Sequence, residues 1–193
     1  MNRHIERLYD DWYSAKYRRW IAHQPQRERK NVLVICRRLL GDTVAVSPFL
    51  RELKRNRPDV DVDIICSPQN YAMLEKCPYI HQIYVYDDRA EKHRYITNLK
   101  RCWKLAIEQL QSRDYLECYV PSTYMPSMID AWLAYFSGAQ RRVAYSEVMN
   151  PSAHHQYGGH FNRHFTKILF IDVDNYRHEA LCNTDILRSF VSA

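Results

Sequence analysis

Residues 3–22 carry apolar and aromatic side chains at helical spacing: Ile5, Leu8, Trp12 and Ala15, flanked by Tyr9, Tyr13, Tyr17 and Trp20, with Arg and Lys between them. That period predicts an amphipathic helix. Residues 24–30, with Pro25, break it and read as a linker. From residue 31 the texture changes. Short β-branched runs at Val32–Cys36, Val60–Cys66, Gln82–Tyr86, Tyr115–Val120 and Arg142–Tyr145 alternate with helical patterns near 47–57, 69–76, 94–112, 123–137 and 175–191, plus a short turn of helix at Phe161–Phe165. Arg57-Pro58-Asp59, Ser67-Pro68, Cys77-Pro78 and Ser137-Gly138 mark the turns between them. Ser47 as N-cap with Pro48 at the first helical position predicts a late start for the helix after the first strand.

Alternating strands and helices predict an α/β chain with a parallel sheet, and strands that are apolar throughout predict that both sheet faces are covered. The expected architecture is a Rossmann-like, doubly wound sheet over residues 31–193, preceded by an extra helix and linker over residues 1–30. In such sheets ligands gather at the carboxyl ends of the strands near the switch point. The loop after the first strand, Arg37-Arg38-Leu39-Leu40-Gly41-Asp42, is therefore the first place to look for function.

The length of 193 residues suits one domain with an appendage. Four glycines, Gly41, Gly138, Gly158 and Gly159, allow neither G-x-G-x-x-G nor G-x-x-x-x-G-K-[ST], which excludes both common phosphate loops. The six cysteines are scattered without a C-x-x-C pair, and several sit in apolar runs, which points to reduced thiols rather than a zinc or disulfide framework. The N-terminus is charged without an apolar core, and no run reaches membrane-spanning length. A cytoplasmic protein is expected.

Net charge is +6, and residues 1–30 hold eight basic against four acidic residues. A basic, aromatic arm has two readings: a helix lying on anionic lipid, or a helix packed on the domain with a solvated basic face. A nucleic-acid partner is not expected, because the basic residues sit in one terminal arm and no recognition motif accompanies them. His154, His155, His160 and His164 lack carboxylate or cysteine partners at ligand spacing, so no metal is expected. A loop in which His160 and Arg163 meet an acidic ligand is the better reading.

The run from Val32 through Gly41-Asp42 and Pro48 to Leu53-Lys54 and Pro58 resembles the opening of the family 9 glycosyltransferases, the bacterial heptosyltransferases of lipopolysaccharide biosynthesis. Asp63-Ile-Ile-Cys-Ser-Pro, Leu74-Glu-Lys-Cys-Pro78-Tyr-Ile80, Arg113-Asp-Tyr115, Phe136-Ser-Gly138 through Tyr145, and His178-Glu179 continue the likeness in order. It covers about residues 31–190. The family's GT-B fold sets two Rossmann-like domains about a cleft. The resemblance implies the N-terminal, acceptor-binding half of an inverting transferase, with the nucleotide-sugar donor held by a C-terminal domain absent from this chain. It implies no cofactor, and an acidic, lipid-linked glycan acceptor at the inner face of the cell membrane.

Carried onto this sequence, the resemblance makes Asp42 the general base that takes the proton from the attacking hydroxyl. The other reading of Asp42 is a loop or helix-capping carboxylate. Gly41 lets the backbone approach the substrate, and Arg37 and Arg38 suit phosphates or carboxylates on the acceptor. Ser122, Thr123 and Tyr124, after the fourth strand, suit sugar hydroxyls, or cap the next helix. The alternative for the whole chain is a non-catalytic glycan-binding or adaptor module built on the same domain.

Overall fold

The computed structural model describes residues 3–24, 28–87, 95–122, 127–146, 161–170 and 178–189. Its core is one six-stranded, all-parallel sheet in the order β3-β2-β1-β4-β5-β6, built from β1 (Asn31–Cys36), β2 (Val62–Cys66), β3 (Gln82–Val85), β4 (Tyr115–Val120), β5 (Arg141–Tyr145) and β6 (Lys167–Leu169). The helices are α1 (Arg3–Ala22), α2 (Leu40–Asn56), α3 (Pro68–Leu74), α4 (Tyr95–Leu105), α5 (Met128–Phe136) and α6 (Glu179–Arg188). The expected Rossmann-like α/β fold is present, and the chain order reverses between β1 and β4.

Every residue of β1 is buried, because both faces of the strand are covered. Leu33 and Ile35 enter a core with residues of α4, α5 and α1, while Val32, Val34 and Cys36 enter a second core with residues of α2, α3 and α6. In β4 the register slips: Asn31 pairs with Tyr115 and Val32 with Glu117, leaving Leu116 as an extra residue. The bulge turns Tyr115 into the first core and Glu117 onto the opposite face. Each then anchors a buried ion network. The Asp63 carboxylate accepts Arg113 Nε–H at 2.7 Å and the Tyr115 hydroxyl at 2.8 Å. Glu117 accepts from Arg57, from Arg141 at 3.5 Å and from the Tyr119 hydroxyl at 3.0 Å.

Three expectations are corrected. The helix after β1 begins at Leu40, seven residues before Ser47, so Pro48 lies inside it. Thr43 explains the early start: its N–H and its hydroxyl both reach the Leu39 carbonyl, at 3.2 and 3.3 Å. Pro48 removes the bond to Val44, which lies on the solvent face, where water can replace it. The patterned helix over 94–112 is α4 followed by one π turn (Ala106–Leu110) and one 3-10 turn (Gln111–Arg113). Finally, β6 was not foreseen. Its Lys167-Ile-Leu is too short to read as a strand and is held only by pairing to β5.

Gly138, which ends α5, has φ +80, and a Cβ there would lie 2.8 Å from the Gln111 side-chain oxygen. Gln111 in turn bonds the Phe136 carbonyl and ties the 3-10 turn to the end of α5. Gly138→Ala is expected to cost about 1–2 kcal/mol through the left-handed backbone alone, read as a lower urea midpoint.

The basic arm packs on the domain. Asp10, Tyr13, Ser14 and Tyr17 form the buried stripe of α1, with Tyr13 and Tyr17 edge-on to Trp103 at ring distances of 5.8 and 6.2 Å. Asp10 accepts the Trp132 indole N–H at 2.9 Å and pairs with Arg163 and with His164 Nε2 at 3.4 Å. Burial pushes the Asp10 carboxyl up, but His164 and Arg163 outweigh it and hold the group below its ordinary 3.8. No helix among the described residues is long and apolar enough to cross a membrane.

Candidate active site at the switch point

Because β1 and β4 are adjacent and parallel, their carboxyl ends open side by side, and the segments leaving them run to opposite faces of the sheet. Here the structure gathers Arg37, Arg38, Gly41, Asp42 and Ser122 at one edge. Asp42 occupies the third position of α2, half-buried, and its Oδ2 accepts the Leu39 N–H at 3.2 Å. It therefore has a capping role. A carboxylate has further lone pairs, so this one bond leaves acceptor capacity for a substrate hydroxyl. Gly41 is exposed, with no atom within 4 Å of where a Cβ would stand.

Arg37 is held tightly. Its guanidinium donates to Asp130 Oδ1 at 2.9 Å and to Ser127 Oγ at 3.5 Å, and it lies 5.0 Å above the Tyr86 ring. Both charged side chains are only 5% exposed, so this is a buried ion pair rather than a free anion receptor. Asp130 serves two roles. It also accepts the Ser127 N–H at 2.9 Å, while Ser127 Oγ accepts the Asp130 N–H at 3.2 Å, forming a capping box that starts α5. Arg38 is fixed by its backbone: the buried Asn70 amide donates to its carbonyl at 2.7 Å. Ser122 is buried, with its N–H on the Val120 carbonyl at 2.9 Å.

The remaining expected site residues divide. Thr123, Tyr124 and His160 lie outside the described residues. Arg163 is described, and it sits on the short turn Phe161–His164 that leads into the amino end of β6. Its guanidinium meets Asp10 and, at 2.9 Å, Asp11. The fold thus places it at the sheet end opposite Asp42. Sequence reasoning passed over Asp130, Ser127, Asn70 and Tyr86, which position the Arg37-Arg38 loop. Ser127-Met-Ile-Asp130 was legible as a capping box before an apolar run, but its ion pair to Arg37 spans 93 residues.

The Cys36 thiol, beneath the loop, is pushed up to about 12 by burial, and it sits 3.7 Å from the Thr43 hydroxyl. It is no nucleophile at neutral pH. Around Asp42, Leu39, Leu40 and Val44 are exposed, Leu39 at 70%. Leu39 also holds the N-cap position without a capping side chain. Leu39→Ser is expected to stabilise the protein by about 1 kcal/mol, seen as a raised urea midpoint; an unchanged midpoint would mean that the first turn of α2 needs no further cap.

Solved structures share this fold. The E. coli ADP-heptose LPS heptosyltransferase II superposes with TM-score 0.60 at 16% identity, over 81% of this chain and 39% of its own. A family 9 glycosyl transferase from Veillonella parvula gives 0.63 at 18%, over 86% and 43%. The E. coli heptosyltransferase WaaC with ADP gives 0.61 at 12%, over 84% and 47%. The fold is that of a family 9 glycosyltransferase in part. The chain spans less than half the length of these enzymes. No protein-family model matches its sequence, and no curated protein does.

Proposed function

We propose that the chain is the acceptor-binding half of an inverting glycosyltransferase, acting with a nucleotide-sugar-binding half. One observation carries this reading: a half-buried carboxylate, Asp42, stands at the switch-point edge of a fold shared with heptosyltransferases. In the reaction, an acceptor hydroxyl at the edge of α2 passes its proton to Asp42 as its oxygen attacks the anomeric carbon. The nucleoside diphosphate leaves from the opposite face in the same step, which inverts the centre. Arg37, locked by Asp130, supports the loop and adds positive charge behind it, while Arg38 and Ser122 flank the acceptor. The exposed Leu39, Leu40 and Val44 are the surface over which a second domain closes, which would remove water from the carboxylate.

The donor is a nucleotide sugar and the acceptor an acidic, lipid-linked glycan of the lipopolysaccharide type, presented at the inner membrane face. The test joins this chain to a donor half from a family 9 enzyme and follows acceptor-dependent release of nucleoside diphosphate. The combined protein is expected to turn over and the chain alone is not. Acceptor binding without turnover in the combined protein would favour a glycan-binding module instead. Turnover by the isolated chain would refute the half-enzyme reading.

A further inference from the structure

We propose that α1 docks the protein on an anionic lipid bilayer, through the face it turns away from the domain. The proposal goes beyond the transfer reaction and stands on this helix alone. The side chains that looked from sequence like one amphipathic stripe divide into two faces. One face, Asp10, Tyr13, Ser14 and Tyr17, is consumed by packing on the domain. The other is a straight outward line at spacings of three and four residues: Ile5, Leu8, Trp12, Lys16 and Arg19. Its first half is apolar, with Leu8 68% and Trp12 56% exposed. Its second half is basic.

Packing also sharpens the charge of this line. Asp10 is buried and Asp11, its side chain 54% exposed, pairs with Arg163, so the helix's exposed charge is chiefly Arg7, Lys16, Arg18 and Arg19, with half-buried Glu6 and the paired Asp11 against it. The Lys16 ammonium lies 5.2 Å from the Trp12 ring and 5.0 Å from the Trp103 ring, so cation and aromatic edge are held at one level. That is the composition of a helix lying in the plane of a membrane: apolar side chains reach below the headgroups, Trp sits at their level, and Lys and Arg meet the lipid charge. From Ile5 to Trp12 the apolar line is about 10 Å long, which suits shallow insertion. A second copy is a poor occupant, because it would bring like charges together.

Contacts with α5 set the direction of α1. Along its length, Asp10 meets Trp132, Tyr17 meets Tyr135 and Phe136, and Trp20 lines a cleft with Ser137 and Gly138. The helix therefore runs alongside α5 in the same sense. Since α5 leads from β4 to the parallel β5, it starts at the carboxyl end of the sheet, and so does α1. α2, which carries Asp42, covers the other face of the sheet, so docking through α1 leaves the Asp42 edge clear of the lipid.

The experiment is co-sedimentation of the full chain with vesicles of phosphatidylcholine, with and without phosphatidylglycerol. Binding is expected to need phosphatidylglycerol and to weaken in high salt. Arg7→Gln with Arg19→Gln is expected to weaken it about fivefold per residue replaced. Leu8→Ser with Trp12→Ser is expected to weaken it more than tenfold, while circular dichroism and the thermal midpoint stay unchanged because both side chains are exposed. Equal partition onto neutral vesicles, no partition at all, or binding that survives both double variants would overturn the proposal. So would self-association, seen by sedimentation velocity, that the Leu8 and Trp12 changes abolish. No donor or acceptor enters the assay, so its failure leaves the role of Asp42 untouched.

Discussion

Asp42→Asn is expected to lower sugar transfer by about 10²–10⁴-fold when the chain is assayed with a donor-binding half. The choice of asparagine matters because Asp42 has two roles to separate. Its Oδ2 accepts the Leu39 N–H at the start of α2, and an asparagine oxygen can accept the same bond. The cap is retained and only the proton-accepting charge is lost. Thermal midpoint and acceptor affinity should therefore stay near those of the parent while kcat falls. Asp42→Ala removes both roles and should lose some stability as well. Near-normal turnover in Asp42→Asn would remove Asp42 from the reaction and leave it as a helix cap.

The largest stability effect is expected at Asp10. Asp10→Ala leaves Arg163, His164 and the Trp132 indole N–H without their shared acceptor in a buried setting. Breaking a buried pair from one side costs about 3–5 kcal/mol, a large share of the roughly 5–15 kcal/mol that holds a domain together. The urea midpoint should fall accordingly. Asp10→Asn keeps an oxygen for Trp132 and should lose less. The same carboxylate predicts an acid sensitivity. Its folded-state value lies below 3.8, so its contribution is complete above that pH and fades as pH falls through the lowered value. Protease cutting within α1 should rise in the same acid range. A midpoint unmoved by Asp10→Ala would mean that α1 is not held by this network.

Much of the fold could be read along the chain. Val32–Cys36 is apolar at every position, which implies two covered faces, and β1 is buried throughout. Turn chemistry at Pro58, Pro68, Pro78 and Gly138 marked the element ends to within a few residues. Reading failed where a local rule met a distant partner. Ser47-Pro48 is a good helix start in isolation, yet Thr43 and Asp42 close an earlier turn on Leu39, and α2 packs against α6 from the far end of the chain. β6 exists through its pairing with β5. For the site, the Gly41-Asp42 loop was legible because strand ends near a switch point gather ligands. The lock on Arg37 was not, since Asp130 reaches it only when β4 lies beside β1.

The sequence alone determined the class of fold, the lack of a glycine-rich phosphate loop, the basic bias of the first 30 residues and the position of Asp42 after the first strand. These follow from spacing and composition, which are local. The tertiary structure decided that Arg37 is locked by Asp130. It also decided that Arg163 serves α1 rather than the Asp42 edge, and which stripe of α1 is buried. Those outcomes depend on desolvated charges finding partners. Asp10 with Arg163, and Arg37 with Asp130, are pairs about a hundred or more residues apart that only the folded sheet brings within reach.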